Sequence, residues 1–426
     1  MTDYRVNIKR LLNIIALDQT YIEFTFTVVI FVFFDPASRL LPADTSYATR
    51  SMWYGTSISI PYFVNLFFAP LLSSLSDEFG RRKFLLFEIS SAFTYLLMAA
   101  LAIYLGYLWL LLVSFVIRGA FSRTNTTALA MIGDACPKHN KMADMGRLQF
   151  AIGLGACLGP IIAGFFAKGF FFDTLNFSLP FFIAAGLALI NTVLTYFLIE
   201  ETLQQSSSSA FSAKQETSRL KANLLSIKHV MTHPDVLKTS LLLLLLQLSW
   251  STYYQFISPL LKVTYEFDTH LLGIFIGVIA FWIMVGAGPV FKFMHNRLKL
   301  SPTRILNISA GLEIAGILIV IATYYQLLPN YFLWISAAPI TIGDVLAYIC
   351  IVSLYSNAVS DHMQGKVMGV NFLIVGLVWG SSGFLGGILI GYSPILPLFL
   401  APLGAIASLF LINASFGRKM ILNYSA

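Results

Sequence analysis

The chain alternates long apolar runs with short polar breaks. Runs of about 20 apolar residues, long enough to cross a hydrocarbon core as a helix, recur along nearly its whole length. They predict helices near 11–34, 53–75, 84–105, 107–131, 147–169, 178–199, 239–261, 271–294, 303–325, 331–355, 367–391 and 394–416. The connections between the third and fourth, ninth and tenth, and eleventh and twelfth helices are short enough to force antiparallel neighbours. The one long hydrophilic insert, 200–238, divides the chain into a 1–199 bundle and a 239–426 bundle. Six helices, a linker and six more helices is the plan of a two-repeat transporter. Within the insert, Gln204–Ser218 is rich in serine, which favours a flexible segment. Leu220, Leu224, Ile227 and Met231 then share one helical face, as in a short amphipathic helix lying on the membrane with Ser218 as its cap.

Composition agrees with a membrane protein. Hydrophobic residues make up 57% and charged residues 11%, and mean hydropathy is +0.78; soluble domains carry about 25% charge. The charges also give orientation. With both termini cytosolic, the outside loops hold Arg39, Arg50, Lys168 and Lys262, the fourth helix holds Arg118 and Arg123, and the remaining 21 of 27 Lys and Arg face the cytosol. This bias is the positive-inside pattern, so the net charge of +7 reports topology and implies no nucleic-acid partner. Three cysteines without CxxC spacing predict neither a disulfide nor a metal site. The basic N-terminus and the apolar run after it read as a retained helix, because the run is long and carries Asp18 and Glu23.

Ionisable residues inside spans are costly and mark functional pathways. On the first helix Gln19, Glu23 and Thr27 form a stripe with Asp18 beside it; on the fourth, Arg118, Ser122 and Asn125 align. Both acidic and both basic residues are five apart. At 1.5 Å per residue, antiparallel helices would place Glu23 level with Arg118 and Asp18 level with Arg123. The seventh helix aligns Gln247, Ser251, Tyr254 and Ser258, and the tenth aligns Thr341, Asp344 and Tyr348. Trp250, Tyr253, Tyr254, Trp282 and Trp379 offer an aromatic surface for an amphiphilic substrate, or simply face lipid. Glu313, on the ninth helix, reads as a structural polar contact, and Glu88 as a residue that snorkels to the cytosolic face or pairs with basic residues there.

Three motifs carry a family resemblance. The loop Ser73-Ser-Leu-Ser-Asp77-Glu-Phe-Gly80-Arg81-Arg82-Lys83 resembles the G-x-x-x-D-R-x-G-R-R signature of the major facilitator superfamily. Gly155-Ala-Cys-Leu-Gly159-Pro160-Ile-Ile-Ala-Gly164 resembles the fifth-helix signature of its drug:proton antiporter branch, and Gln364-Gly365-Lys-Val-Met-Gly369 resembles the start of helix 11 in tetracycline/proton antiporters. The likeness runs the length of the chain. Ser73 and Glu78 depart from the loop signature, and Arg118 falls almost a turn after the position where such antiporters carry an arginine in helix 4.

The resemblance implies an all-α fold of twelve transmembrane helices in two pseudo-symmetric six-helix bundles, with helices 1, 4, 7 and 10 lining a cavity. It implies that Asp77, Gly80, Arg81, Arg82, Gly155, Gly159, Pro160 and Gly164 govern conformational change, Asp77 by contacting helix 11. The expected function is proton-coupled efflux of a small amphiphilic or anionic molecule from the cytoplasmic (inner) membrane by a monomer. The alternative is proton-coupled import of a nutrient or organic anion. Glu23, Asp18 and Asp344 are the candidate proton-coupling groups. Arg118, Arg123, Gln19, Asn125, Gln247, Ser251, Tyr254, Thr341, Tyr348 and Trp250 are the candidate substrate contacts. Two readings stand for the helix 1 acids and helix 4 arginines: proton carriers with an anion clamp, or permanent ion pairs. No HExxH, GxSxG or GxxxxGK[ST] is present, so catalysis and ATP-driven pumping are not expected. No cofactor is expected; protons, a small-molecule substrate and the bilayer are the expected partners.

Overall fold

The computed structural model describes residues 2–136, 138–167, 176–202, 233–359 and 363–415. Its helices are α1 (Thr2–Phe34), α2 (Tyr47–Phe79), α3 (Arg81–Leu105), α4 (Leu108–Phe121), α5 (Thr124–Ala135), α6 (Lys138–Phe166), α7 (Leu179–Leu198), α8 (Pro234–Thr264), α9 (Thr269–Val285), α10 (Pro302–Tyr324), α11 (Phe332–Ala358), α12 (Gln364–Ile390) and α13 (Leu396–Ser415). With α4 and α5 forming one passage, they make twelve membrane-length passages. Among the described residues, nine helices are long and apolar enough to span a bilayer. Phe67, Trp109, Phe197 and Phe410 are strongly exposed, as suits side chains whose solvent is lipid. The chain is a multi-pass membrane protein.

Local chemistry sets the ends. Ser46 caps α2 by accepting from the Thr49 amide at 3.2 Å, and Ser301 caps α10 ahead of Pro302. Gly106 closes α3 in the left-handed conformation. Two departures from the sequence expectation stand out. The predicted 107–131 helix breaks at Ser122–Arg123, where the backbone leaves helical angles. Beyond α9 the chain winds as wider π turns over Gly286–Val290 and Phe293–Arg297. Pro289, which donates no backbone hydrogen bond, lies in the first of these. The predicted surface helix around Leu220–Met231 lies outside the described residues.

The chain forms two compact units, Met1–Ala210 with Leu261–Ala280, and Phe211–Leu260 with Phe281–Ala426. The end of α8 and most of α9 belong with the first unit. In that unit Ile8, Leu11 and Ile15 of α1 meet Leu85 and Ile89 of α3 and Met131 of α5 in a buried core. In the second, Leu243 and Leu246 of α8 meet Leu306 of α10, Leu346 of α11, Val370 of α12 and Ile412 of α13.

Helix α6 shows why its small residues recur. A Cβ at Gly155 would lie 2.5 Å from the Ala16 carbonyl oxygen, and one at Gly159 would collide with the Thr20 carbonyl and lie 2.9 Å from the Glu23 Cβ. Both glycines therefore seat α6 directly on the acid-bearing stretch of α1. The other side of α6 meets α9: a Cβ at Gly164 would lie 2.5 Å from the Thr269 carbonyl oxygen, and Gly273 sits against the Pro160 carbonyl. Thr269 donates its hydroxyl to the Gly164 carbonyl at 3.2 Å. Such backbone approach is how membrane helices gain dispersion energy without a hydrophobic drive between them. A salt bridge of 3.0 Å from Lys262 to Asp35 joins the end of α1 to the same unit, with the ammonium 4.7 Å from the Phe31 ring centre.

Gly159→Ala is expected to destabilise the detergent-solubilised protein by about 1–3 kcal/mol, the cost of overfilling a close-packed contact. Gly146→Ala, on the same helix with nothing within 4 Å of its Cβ position, serves as control. Thermal unfolding followed by intrinsic fluorescence should separate the two. Equal melting temperatures would show that the α1–α6 contact tolerates the methyl group.

Candidate functional site

In the first unit the centre is Asp18, which is fully buried. Its Oδ2 accepts from the Thr124 hydroxyl and, at 3.4 Å, from Gln19 Nε2. Its Oδ1 accepts from the Tyr21 hydroxyl. Tyr21 in turn accepts from Asn191 Nδ2 of α7 at 3.2 Å, and the same amide donates to the Ile14 carbonyl at 3.1 Å. Thr124 is the first residue of α5, so the break in the fourth passage brings a helix N-terminus and its hydroxyl to the carboxylate. Orphan N–H groups and a positive dipole end favour negative charge there.

This corrects the expected layering. Arg123 does not pair with Asp18; its guanidinium donates to the Ala69 carbonyl of α2 and faces Glu88 of α3. Glu88 does not snorkel. It is fully buried, neither carboxylate oxygen makes a hydrogen bond, and Thr127 and Arg123 face it.

Glu23 lies on the next turn outward and is half-buried. Arg118 is the cation that faces it, yet the two make no salt bridge within 4.0 Å. Arg118 donates instead to Thr25 Oγ1 at 3.3 Å. Tyr62 of α2 and Tyr95 of α3 face the same pair of charges. Asn125 keeps a buried side-chain oxygen without a hydrogen-bond partner. Neither expected contact ion pair therefore exists in this structure: Asp18 is held by hydroxyls and an amide, Arg123 by a backbone carbonyl and Arg118 by a hydroxyl.

The second unit holds a separate group. Asp344 of α11 accepts from Gln247 Nε2 of α8 at 3.1 Å, and Gln247 Oε1 accepts from the indole N–H of Trp379 of α12 at 2.9 Å. Trp379 lies 5.8 Å from the Tyr254 ring, and Tyr254 lies 5.3 Å from Trp250, centre to centre. Ser251 and Ser382 share a hydrogen bond of 2.9 Å, and Tyr348 accepts from Asn371 Nδ2 at 2.9 Å. Thr341 is buried with no partner for its hydroxyl. Glu313 of α10 faces Asp344.

The loop signature is tied down by residues that the motif does not contain. Gly80 adopts φ +99°, a region that suits glycine alone, and a Cβ there would lie 2.5 Å from Glu201 Oε2. The Glu201 carboxylate accepts from the Arg81 and Arg82 amides at 3.0 and 3.2 Å, an acidic cap on the start of α3. Arg81 bridges to Asp134 at 3.0 Å. Arg82 donates to the Tyr196 carbonyl at 2.6 Å and stands over the Tyr196 ring. The Asp77 side chain lies outside the described residues. Among the described residues no cluster of three His, Cys, Asp or Glu could hold a metal ion.

Thr124, Tyr21, Asn191 and Glu201 escaped sequence reasoning. Only Tyr21, one turn from Asp18, and Asn191, a lone amide in an apolar helix, left a signal. A double-mutant cycle of Thr124→Val and Asp18→Asn is expected to show a coupling of about 0.5–3 kcal/mol in thermal stability. Additive effects would mean that the hydroxyl does not support the carboxylate.

Comparison with known proteins bears on this arrangement. A profile of the Major Facilitator Superfamily matches residues 25–386. The class B tetracycline resistance protein of Escherichia coli is 31% identical over 150 residues, 35% of each chain. The multidrug resistance protein MdtG of Proteus mirabilis is 28% identical over 185 residues, 42% of this chain and 43% of that one. The matches thus span about two fifths or less of these relatives' length. Among solved structures, a D-xylose–proton symporter superposes with TM-score 0.71 at 15% identity, covering 95% of this chain and 97% of that one. A POT family transporter superposes with TM-score 0.74 at 14% identity, covering 98% and 96%; these likenesses show the fold. The profile, the twelve passages and the polar clusters inside them converge: the chain belongs to the Major Facilitator Superfamily and has the fold of its solved members.

Proposed function

We propose that this protein is a proton-driven efflux antiporter of a small amphiphilic or anionic molecule. It works in the cytoplasmic membrane as a monomer with both termini in the cytosol. Its repeats, 1–199 and 239–426 joined by 200–238, alternate access to the substrate. The observation that carries the reading is the set of acidic side chains in the first unit, Asp18, Glu23 and Glu88, held at membrane depth beside Arg118 and Arg123. Charges at that depth serve transport pathways far more often than structure alone. The glycine contacts of α6 support it too, because they set the position of the Glu23 turn. Drug-resistance names among the relatives agree with export.

In this reading Glu23 is the main proton carrier. It is half-buried and outside any salt bridge, so a proton can reach it and change the balance with Arg118. Asp18 and Asp344 serve as further proton-coupling groups. Arg118, Arg123, Gln19 and Asn125 in the first unit, and Gln247, Trp250, Ser251, Tyr254, Thr341 and Tyr348 in the second, are the proposed substrate contacts. A second reading, proton-coupled import of an organic anion, draws on one observation: Arg118 makes a single long hydrogen bond and keeps donors for a carboxylate or phosphate.

Purified protein in liposomes with an internal pH dye and no imposed gradient tests both readings. Cationic drugs, amino acids and citrate-like anions are added outside in turn. Internal alkalinisation is the expected result, and acidification would establish symport and overturn the efflux reading. Glu23→Gln should abolish the dye response while the protein remains monodisperse; an unchanged response would remove Glu23 from the mechanism. Arg118→Ala should cost anionic substrates about 1.5–3 kcal/mol, the strength of a charged hydrogen bond, and spare cations. An equal loss for both would make Arg118 a structural residue.

A further inference from the structure

In the second unit the two acids Glu313 and Asp344 face one another without a counter-charge. Glu313 sits in the middle of α10, is fully buried, and neither carboxyl oxygen has a hydrogen-bond partner. α10 and α11 come together over Gly343: a Cβ there would lie 2.7 Å from the Ser309 carbonyl oxygen and 3.0 Å from Glu313 Cγ. The residue beside Asp344 is thus the one that lets the Glu313 stem lie on the α11 backbone. From α8 the Ser249 hydroxyl, fully buried and without a partner, faces Glu313. Tyr348 of α11 faces Asp344 and accepts from Asn371 of α12. α13 contributes no ionisable residue, and the Lys, Arg and His of α8, α10 and α12 are confined to their end turns. Among the described residues neither acid has a salt bridge within 4.0 Å. This contrasts with the first unit, where arginines face Glu23 and Glu88. Two adjacent carboxylates in a low-dielectric interior with no cation do not both stay ionised; they share a proton and titrate as a pair.

One of the two is wired to an aromatic surface. The indole of Trp379 is a donor only, so its bond to Gln247 Oε1 turns the amide to present N–H to Asp344. That orientation favours an ionised Asp344 and leaves the proton on Glu313, next to the free Ser249 hydroxyl. A molecule that draws the Trp379 N–H away releases Gln247, whose carbonyl can then accept from a protonated Asp344.

We propose that Glu313 and Asp344 form a proton-binding carboxyl pair in the second unit, and that Gln247 links its protonation to ligand contact at Trp379. The proposal assigns Glu313 to proton handling and names Trp379 as the ligand-sensing residue. It builds on the proton-driven reading above, but its test needs neither substrate nor transport.

The test is infrared difference spectroscopy of the purified, detergent-solubilised full chain, titrated across the neutral range in H2O and D2O. The expected result is a deuterium-sensitive protonated-carboxyl C=O band that persists in Asp18→Asn and Glu23→Gln. It should be lost in Glu313→Gln and altered in frequency or midpoint in Asp344→Asn. Trp379→Phe, which keeps the ring and removes the N–H, is expected to raise the proton affinity of the pair about tenfold, a shift of about one pH unit. Size-exclusion profiles accompany each variant. If Glu313→Gln aggregates, the Asp344→Asn and Trp379→Phe spectra decide the matter. A band unchanged in Asp344→Asn would overturn the pair, and a midpoint unmoved by Trp379→Phe would overturn the Gln247 link. Loss of the pH-dye response with this band intact would count against the antiport reading alone.

Discussion

A polar group buried in a membrane helix bundle must find its partners inside the protein, because the surrounding hydrocarbon offers none. Asp18 shows how far this constraint reaches. Three side-chain donors converge on its carboxylate, from its own helix and from the start of α5. Tyr21 is held in turn by Asn191 of α7. The fourth membrane passage gives up helical geometry at Ser122 and Arg123, which places the first hydroxyl and the N-terminal end of α5 beside the acid. One carboxylate thus fixes the relation of three helical passages.

The two units solve the same problem with different chemistry. In the first, Glu23 and Glu88 face Arg118 and Arg123 without a salt bridge within 4.0 Å. These two arginines are held elsewhere, Arg123 on the Ala69 carbonyl and Arg118 on Thr25. Such an arrangement differs from a closed ion pair, which would bury the charges against each other. In the second, amides, hydroxyls and an indole take over around Asp344 and its neighbours.

Close backbone approach connects these sites to the rest of the fold. Gly155 and Gly159 seat α6 on the Asp18–Glu23 stretch of α1, Pro160 and Gly164 meet α9, and Gly343 seats α11 on the Glu313 turn of α10. At Gly159 and Gly343 the missing side chain leaves room for the stem of an acidic one, Glu23 and Glu313. The loop glycine Gly80 does comparable work at the membrane surface. Its positive φ turns α2 into α3, where the Glu201 carboxylate holds the first amides.

The sequence by itself determined the all-helical membrane architecture, since runs of apolar residues at bilayer length have few other solutions, and the loop and α6 motifs indicated the superfamily. It also marked the polar stripes, because an ionisable residue stands out against an apolar background: Asp18, Glu23, Arg118, Arg123 and Asp344 were all legible. Their partners were not. Level-for-level pairing of acids with arginines assumed a straight fourth helix, and the break at Ser122 undid it. Thr124, Asn191, Ser249 and Glu201 are ordinary residues in ordinary places until helices distant in sequence bring them to a carboxylate. Glu313 was visible as a charge, but its meaning depended on Gly343 letting α10 and α11 close on Asp344. The tertiary structure alone decided which charges meet, because hydrogen bonds at about 3 Å depend on helix breaks, rotations and side-chain directions that periodicity does not record.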